Sequence, residues 1–172
     1  MVDSFAGVTF GYSHVTMTPL LVYAPPKLLA KQWLLAYQFG PKFVPPLVVG
    51  GTVCNGLLAY YAKSGTARAL YIVAALLVWS IAPFTIFYME PGINGAGKWK
   101  VATMLKDEGF QMEENGRRVP DVHKHTATQS ARQWADKTDM KDIVRTWTRI
   151  NALRYMITFI STLASACATC IA

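Results

Sequence analysis

Between Arg68 and Glu90 the chain runs for 21 residues without a charged side chain. As a helix rising about 1.5 Å per residue, that run covers a hydrocarbon core of roughly 30 Å, and inside lipid only a helix or a closed barrel satisfies its own backbone. Residues 69–89 therefore read as a transmembrane helix. Pro83 falls in its last third, where the missing N–H and the ring bend a helix, and the Thr85 hydroxyl can bond a freed carbonyl there. Directly beyond come Glu90, Pro91, Gly92 and Asn94, an acid and an amide on backbone that Pro and Gly turn out of the helix. The plain reading is a helix stop with polar groups meeting water. The alternative is a polar pocket beside the bend.

Three further spans are expected at about residues 4–24, 43–62 and 152–172, the last free of charge from Tyr155 to Ala172. The first follows Asp3 in place of a basic n-region and reads as a retained span. It carries a Gly7/Gly11 pair suited to close helix approach, Pro19 as a kink, and His14, an ionisable group at membrane depth. His14 is either a neutral histidine bonded to a neighbouring helix or a proton-transfer group. Residues 25–42 mix Lys27, Lys31 and Lys42 with Leu, Trp, Tyr and Phe, the pattern of a short helix in the headgroup region. The second span then starts on Pro45 and Pro46 in its first turn, and Gly50, Gly51, Gly56 and Asn55 suit helix contacts and a cross-helix amide bond. The last helix starts at an Asp139 cap and rises into the bilayer, with small pairs Ser161/Ser165 and Ala164/Ala168. The expected architecture is all-α: one domain over residues 1–172, an integral membrane four-helix bundle. A polar extramembrane loop at about 95–140 joins the third and fourth helices, with a solvated turn at Glu113, Glu114, Arg117 and Arg118.

A hydrophobic content of 52% exceeds what a soluble chain of 172 residues needs. The net charge of +7 is spread along the loops without a stripe or a nucleic-acid-reading motif, so lipid headgroups are the expected counterions and nucleic acid is not an expected partner. Only Lys63 and Arg68, of seventeen basic residues, lie in the turn after the second span, which directs the other loops to the cytosol. The three cysteines all sit in apolar segments and form no disulfide framework. A homo-oligomer is left open.

On the last helix Trp147, Asn151 and Arg154, spaced by four and three, share one face, with Arg145 and Arg149 on neighbouring turns. The arginines suit either anchoring to headgroup phosphates or anion binding in an interfacial pocket. Elsewhere the chemistry is thin. Asp121, His123 and His125 lack a further ligand at a metal spacing, Cys167 and Cys170 lack a redox context, and no Gly-rich nucleotide loop or nucleophile triad can be assembled.

The block from Ala82 to Asn94, APFTIFYMEPGIN, resembles the "P-[FY]-T … M-x-P-x-x-N" block of the anthrone oxygenase family, small membrane proteins of fungal polyketide pathways and their bacterial relatives. RTWTRINALR, Arg145 to Arg154, is similar to that family's "W … N-x-x-R" block, and the Leu/Trp-rich segment closing on Gly40 and Pro45-Pro46 fits its first half. The insert at 98–138 departs from the shorter bacterial pattern and is closer to the fungal members. The resemblance marks Thr85, Asn94, Trp147, Asn151 and Arg154, and implies oxidation of an anthrone to an anthraquinone with O₂, without flavin or metal. On that reading Arg154 stabilises a substrate oxyanion, Asn94 and Asn151 donate hydrogen bonds, Trp147 covers the rings, and Thr85 and Arg149 contact a polycyclic aromatic substrate. The general base falls to His14 or Glu90. The expected location is an intracellular membrane crossed several times. The competing reading is a non-catalytic membrane scaffold or transport accessory whose polar cluster locks helices together.

Overall fold

The computed structural model describes residues 7–116 and 119–172. The start of the expected first span, and Arg117 and Arg118 of the expected turn, lie outside the described residues. A wide π turn, Gly11–Thr16, leads into α1 (Met17–Tyr23), and extended backbone at Ala24 and Pro25 directs the chain into α2 (Pro26–Tyr61). After a tight turn, α3 (Gly65–Pro83) starts on Ser64, whose Oγ accepts from the Ala67 N–H at 3.4 Å. A π segment, Phe84–Asn94, follows without a break and passes into α4 (Gly95–Met104). Two short parallel strands, β1 (Glu113–Glu114) and β2 (Lys124–His125), precede α5 (Gln129–Lys137) and α6 (Met140–Ile171). The Asp139 carboxylate caps α6 as expected, accepting from the Lys141 N–H at 2.7 Å.

Among the described residues, three helical stretches are long and apolar enough to cross a membrane: Pro26–Tyr61, Gly65–Met104 and Met140–Ile171. The chain is thus an all-α membrane protein, with α3 packed along both α2 and α6. One expected break is absent: the separate headgroup helix at 25–42 is the first half of α2, which runs 36 residues through Pro41, Pro45 and Pro46. At Glu90 to Asn94 the expected break is present but short. Pro83 and Pro91 cannot donate to the preceding turn, the chain widens to π geometry, and Gly92 is non-helical (φ −94°, ψ −106°), so two helices meet there at a kink; beyond it the chain resumes at once as α4 instead of entering a loop.

Two packing expectations also change. Nothing lies within 4 Å of the space a side chain would take at Gly7 or Gly11, so that pair draws in no neighbouring helix among the described residues. Asn55 is buried but donates to the Gly51 carbonyl of its own helix at 2.9 Å instead of across to another. The expected polar loop is a packed layer. Lys27 and Lys31 of α2 pair with Asp107 and Glu108, and Trp99 on α4 donates to Asp136 on α5 at 2.8 Å while Arg132 lies over its ring. Two glycines on α4 permit this closeness. A Cβ at Gly95 would meet the Ala127 backbone at 2.6 Å, and one at Gly97 would meet the Trp33 ring at 2.4 Å.

Candidate active site

A cavity of about 720 Å³ opens between the N-terminal helix (residues 7–16), α2, α3, the π segment and α6. Its wide part is apolar, with Phe39, Val44, Leu47, Val48, Trp79 and Ile86 among the lining residues. The inner end is polar. It collects Tyr37 from α2, Glu90 and Asn94 from the π segment, and Trp147, Asn151 and Arg154 from α6.

The π segment explains how Glu90 comes to be there. With the helix carried through the kink, Glu90, Asn94 and Lys98 follow one another at spacings of four and point to the same side. Glu90 and Lys98 are fully buried and form an ion pair. A buried charge needs its remaining valences met, and they are. Oε2 of Glu90 accepts from the Tyr37 hydroxyl at 2.8 Å and from Asn94 Nδ2 at 2.9 Å. Oε1 faces Lys98 Nζ and, at 2.9 Å, the Thr126 hydroxyl, which also lies 2.7 Å from the Glu90 carbonyl. The ammonium of Lys98 is further held by the Asp121 carbonyl at 3.3 Å. The segment around 120–128 therefore closes the polar end from outside.

From Asn94 the network crosses to α6: the Trp147 indole N–H donates to Asn94 Oδ1 at 2.9 Å. Trp147 is also held edge-on by Tyr12 and Trp33, with ring centroids 5.6 and 6.2 Å away. One turn on, Asn151 donates to the buried Ser13 hydroxyl at 2.7 Å and accepts from Arg154 Nη1 at 3.3 Å. Arg154 is only 8% exposed, so it is not a headgroup anchor on the protein surface. Each asparagine amide keeps a second N–H for a ligand.

Of the residues expected from sequence, the structure brings Thr85, Glu90, Asn94, Trp147, Asn151 and Arg154 to one cavity. Thr85 and Tyr12 line the cavity, and their hydroxyl oxygens are buried without a hydrogen-bond partner among the described residues, which is rare for buried hydroxyls. His14 is elsewhere. It lies exposed on the outer side of its π turn, 3.2 Å from the Tyr155 hydroxyl, so its role as base, which required it to face the cavity, has no support in the geometry. Arg149 is exposed and does not line the cavity. Asp121 folds back on its own turn, its carboxylate accepting the N–H of His123 at 2.7 Å and of Lys124 at 3.1 Å. Among the described residues no three His, Cys, Asp or Glu side chains gather as metal ligands.

Sequence reading missed Tyr37, Lys98, Thr126 and Tyr12. Lys98 had a signal, the spacing Glu90–Asn94–Lys98, which the assumed helix stop hid. Tyr37 follows Trp33 by one turn and stacks on it at 5.6 Å, a pairing with no functional mark in sequence. Thr126 arrives through a long-range return of the chain that no local pattern encodes.

The anthrone oxygenase family model matches residues 33–164. The chain belongs to the anthrone oxygenase family. No curated protein and no solved structure matches it. The matched stretch holds the whole Lys98–Glu90–Asn94–Trp147 network together with Tyr37, Thr85, Asn151 and Arg154, while Tyr12 and Ser13 precede it. The anthrone oxygenase segment and the polar end of the cavity thus coincide in every element but the N-terminal helix.

Proposed function

We propose that the protein oxidises a polyketide-derived anthrone to the anthraquinone with O₂, without flavin or metal, in this cavity. Loss of a methylene proton from an anthrone gives an aromatic, electron-rich oxyanion, which passes an electron directly to oxygen. The balance closes without a further reductant: the methylene carbon gains one oxygen atom as the quinone carbonyl, and its two hydrogens leave with the other oxygen as water. What the protein must supply is a proton acceptor, a counter-charge for the oxyanion and a dry, flat space. Arg154 supplies the counter-charge at the edge of a low-dielectric site, where its attraction exceeds that in water, and a guanidinium stays planar and multiply donating. The spare N–H groups of Asn94 and Asn151 add to it, and Trp147 covers the rings.

Glu90 is the proton's destination, held as a carboxylate by Lys98. Tyr12 and Thr85 line the space that the substrate would fill. The observation that carries this reading is a single one: an apolar cavity within the roughly 300–1,000 Å³ of small-molecule sites, about 720 Å³ in volume, closes on a buried cation and a buried carboxylate. On this reading the protein is a multi-pass member of an intracellular membrane, where a flat polyaromatic substrate and O₂ both concentrate. Purified protein in detergent, given an anthrone under air and under argon, tests it. Oxygen-dependent quinone formation above the spontaneous rate is the expected result; equal rates with and without protein favour the scaffold reading.

A further inference from the structure

The Glu90 carboxylate, although it borders the cavity, is not open to a substrate C–H. Each of its oxygens already has two polar neighbours within hydrogen-bond reach: Lys98 Nζ and Thr126 Oγ1 on Oε1, Tyr37 Oη and Asn94 Nδ2 on Oε2. Lys98 Nζ, Tyr37 Oη and Asn94 Nδ2 take three of the roughly four lone-pair directions of an ionised carboxylate. The fourth faces Thr126, whose one hydroxyl hydrogen is shared with the Glu90 carbonyl and which does not line the cavity. Glu90 itself is 0% exposed. A proton from the cavity must therefore reach it through one of these four groups. Lys98 and Thr126 do not line the cavity, and the amide of Asn94 neither gains nor loses a proton at working pH. Tyr37 remains. It lines the cavity, its hydroxyl donates to Glu90 at 2.8 Å, and a phenol oxygen can accept one proton while releasing another.

We infer that Tyr37 is a further catalytic residue, the relay that takes the substrate's methylene proton and hands its own to Glu90. This rests on the oxidation proposed above. In the step, the substrate C–H bond breaks and its proton bonds to Tyr37 Oη. The Tyr37 O–H proton passes to Glu90 Oε2 at the same time, and the electron pair stays on the substrate as the oxyanion facing Arg154. O₂ is the oxidant: it bonds to the methylene carbon, and the stored proton returns along the same route to the resulting peroxide. The second methylene C–H then breaks through the same relay as the O–O bond opens, so the carbon keeps one oxygen as the quinone carbonyl and the departing hydroxide takes that second proton and leaves as water. The remainder of the site fixes the relay's geometry. The ring of Tyr37 is stacked on Trp33 at 5.6 Å, and Lys98 Nζ lies 3.4 Å from Oη and 5.0 Å from the ring centroid.

The test compares wild-type protein with Tyr37→Phe, which keeps the ring and its stacking but lacks the hydroxyl. Three quantities are read in detergent: kcat on an anthrone, affinity for the anthraquinone product by fluorescence quenching, and the isotope effect with a dideuterated methylene. The relay requires kcat to fall by about 100-fold or more, product affinity to hold within about threefold, and the isotope effect to rise as proton removal becomes limiting. Where Tyr37→Phe fails to fold, 3,5-difluorotyrosine placed at position 37 preserves the shape and acidifies the phenol, and the pH–rate profile must then move to lower pH. If wild type turns over and Tyr37→Phe keeps near-native kcat, or loses kcat and product affinity together, or if the fluorinated protein keeps its pH profile, the relay is wrong while the oxidation stands. If wild type itself forms no quinone beyond the spontaneous rate, both fall.

Discussion

Along its outer turns α3 meets α6 through small side chains. Ala67, Ala74 and Ala168 are fully buried, and the polar contacts there are few: Ser161 Oγ donates to the Ala74 carbonyl at 2.8 Å, and the hydroxyls of Tyr71 and Thr169 lie 2.9 Å apart. Beyond Pro83 the chain continues as the π segment and α4 against the same α6 beside the cavity, and the contact is of the opposite kind, a chain of large and charged groups from Lys98 through Glu90 and Asn94 to Trp147. Small residues suffice where two helices need only approach, since dispersion and a few hydrogen bonds hold them in lipid. A buried ion pair that must bring in four more partners to be satisfied contributes little net stability over an apolar replacement. Its presence at the cavity and its absence from the outer turns set the polar end apart as the place where the proposed oxidation would act.

Breaking the ion pair gives the largest expected effect on stability. Lys98→Met leaves Glu90 buried and uncompensated, which costs about 3–5 kcal/mol; thermal unfolding in detergent should show a large loss, mostly recovered when Glu90→Gln is added. A double variant no more stable than Lys98→Met would mean that the pair is not the origin of the loss. Next comes the close approach of α4 to α2. Gly97→Ala forces a methyl to 2.4 Å from a fully buried Trp33 ring and should cost about 1–3 kcal/mol. Gly56→Ala in α2, with nothing within 4 Å, should be neutral or slightly stabilising by the same measurement.

At the outer turns the expected change is smaller. Ser161→Ala removes one interhelical hydrogen bond, about 0.6 kcal/mol by the average for such bonds in membranes, and should leave turnover unchanged; a tenfold loss of turnover would deny the division between the two regions. The smallest effect is a pH dependence in the layer that closes the polar end. Burial, and after it the Arg132 charge, lower the pKa of His125 below its ordinary value, and its Nδ1 has no hydrogen-bond partner among the described residues. Below about pH 6.5 the unfolded chain binds a proton that the folded chain resists, so the stability His125 contributes is present above that pH and lost as pH falls toward the lowered folded value. Unfolding temperatures from pH 7.5 to 5.5 should therefore drop more for wild type than for His125→Phe.

What was legible in the sequence follows the physics of each signal. Charge-free runs place the apolar parts of α2, α3 and α6 because lipid enforces them along every turn. Prolines misled inside α2, where Pro41, Pro45 and Pro46 end nothing, because packing over many turns outweighs one lost hydrogen bond each. At Pro91 and Gly92 the break is real, but helix resumes at once as α4, and expecting a loop there hid Lys98. The α6 triad was legible from its spacing, and Arg149 was not, since two residues from Trp147 turns a side chain to the opposite face. His14 adjoins the buried Ser13, but the π turn they share changes the phase of the face, so the neighbour reaches the site and the histidine does not.

The central claim is that the buried cation at the polar end of the cavity stabilises a substrate oxyanion. Turnover of an anthrone by Arg154→Ala, at equal amounts of folded protein and with product affinity measured alongside, tests it most directly. Loss of one preorganised oxyanion donor predicts a fall of about 100-fold or more in kcat, with the protein still folded and membrane-embedded. Near-native turnover in that variant would contradict the account and leave the polar cluster a helix clamp.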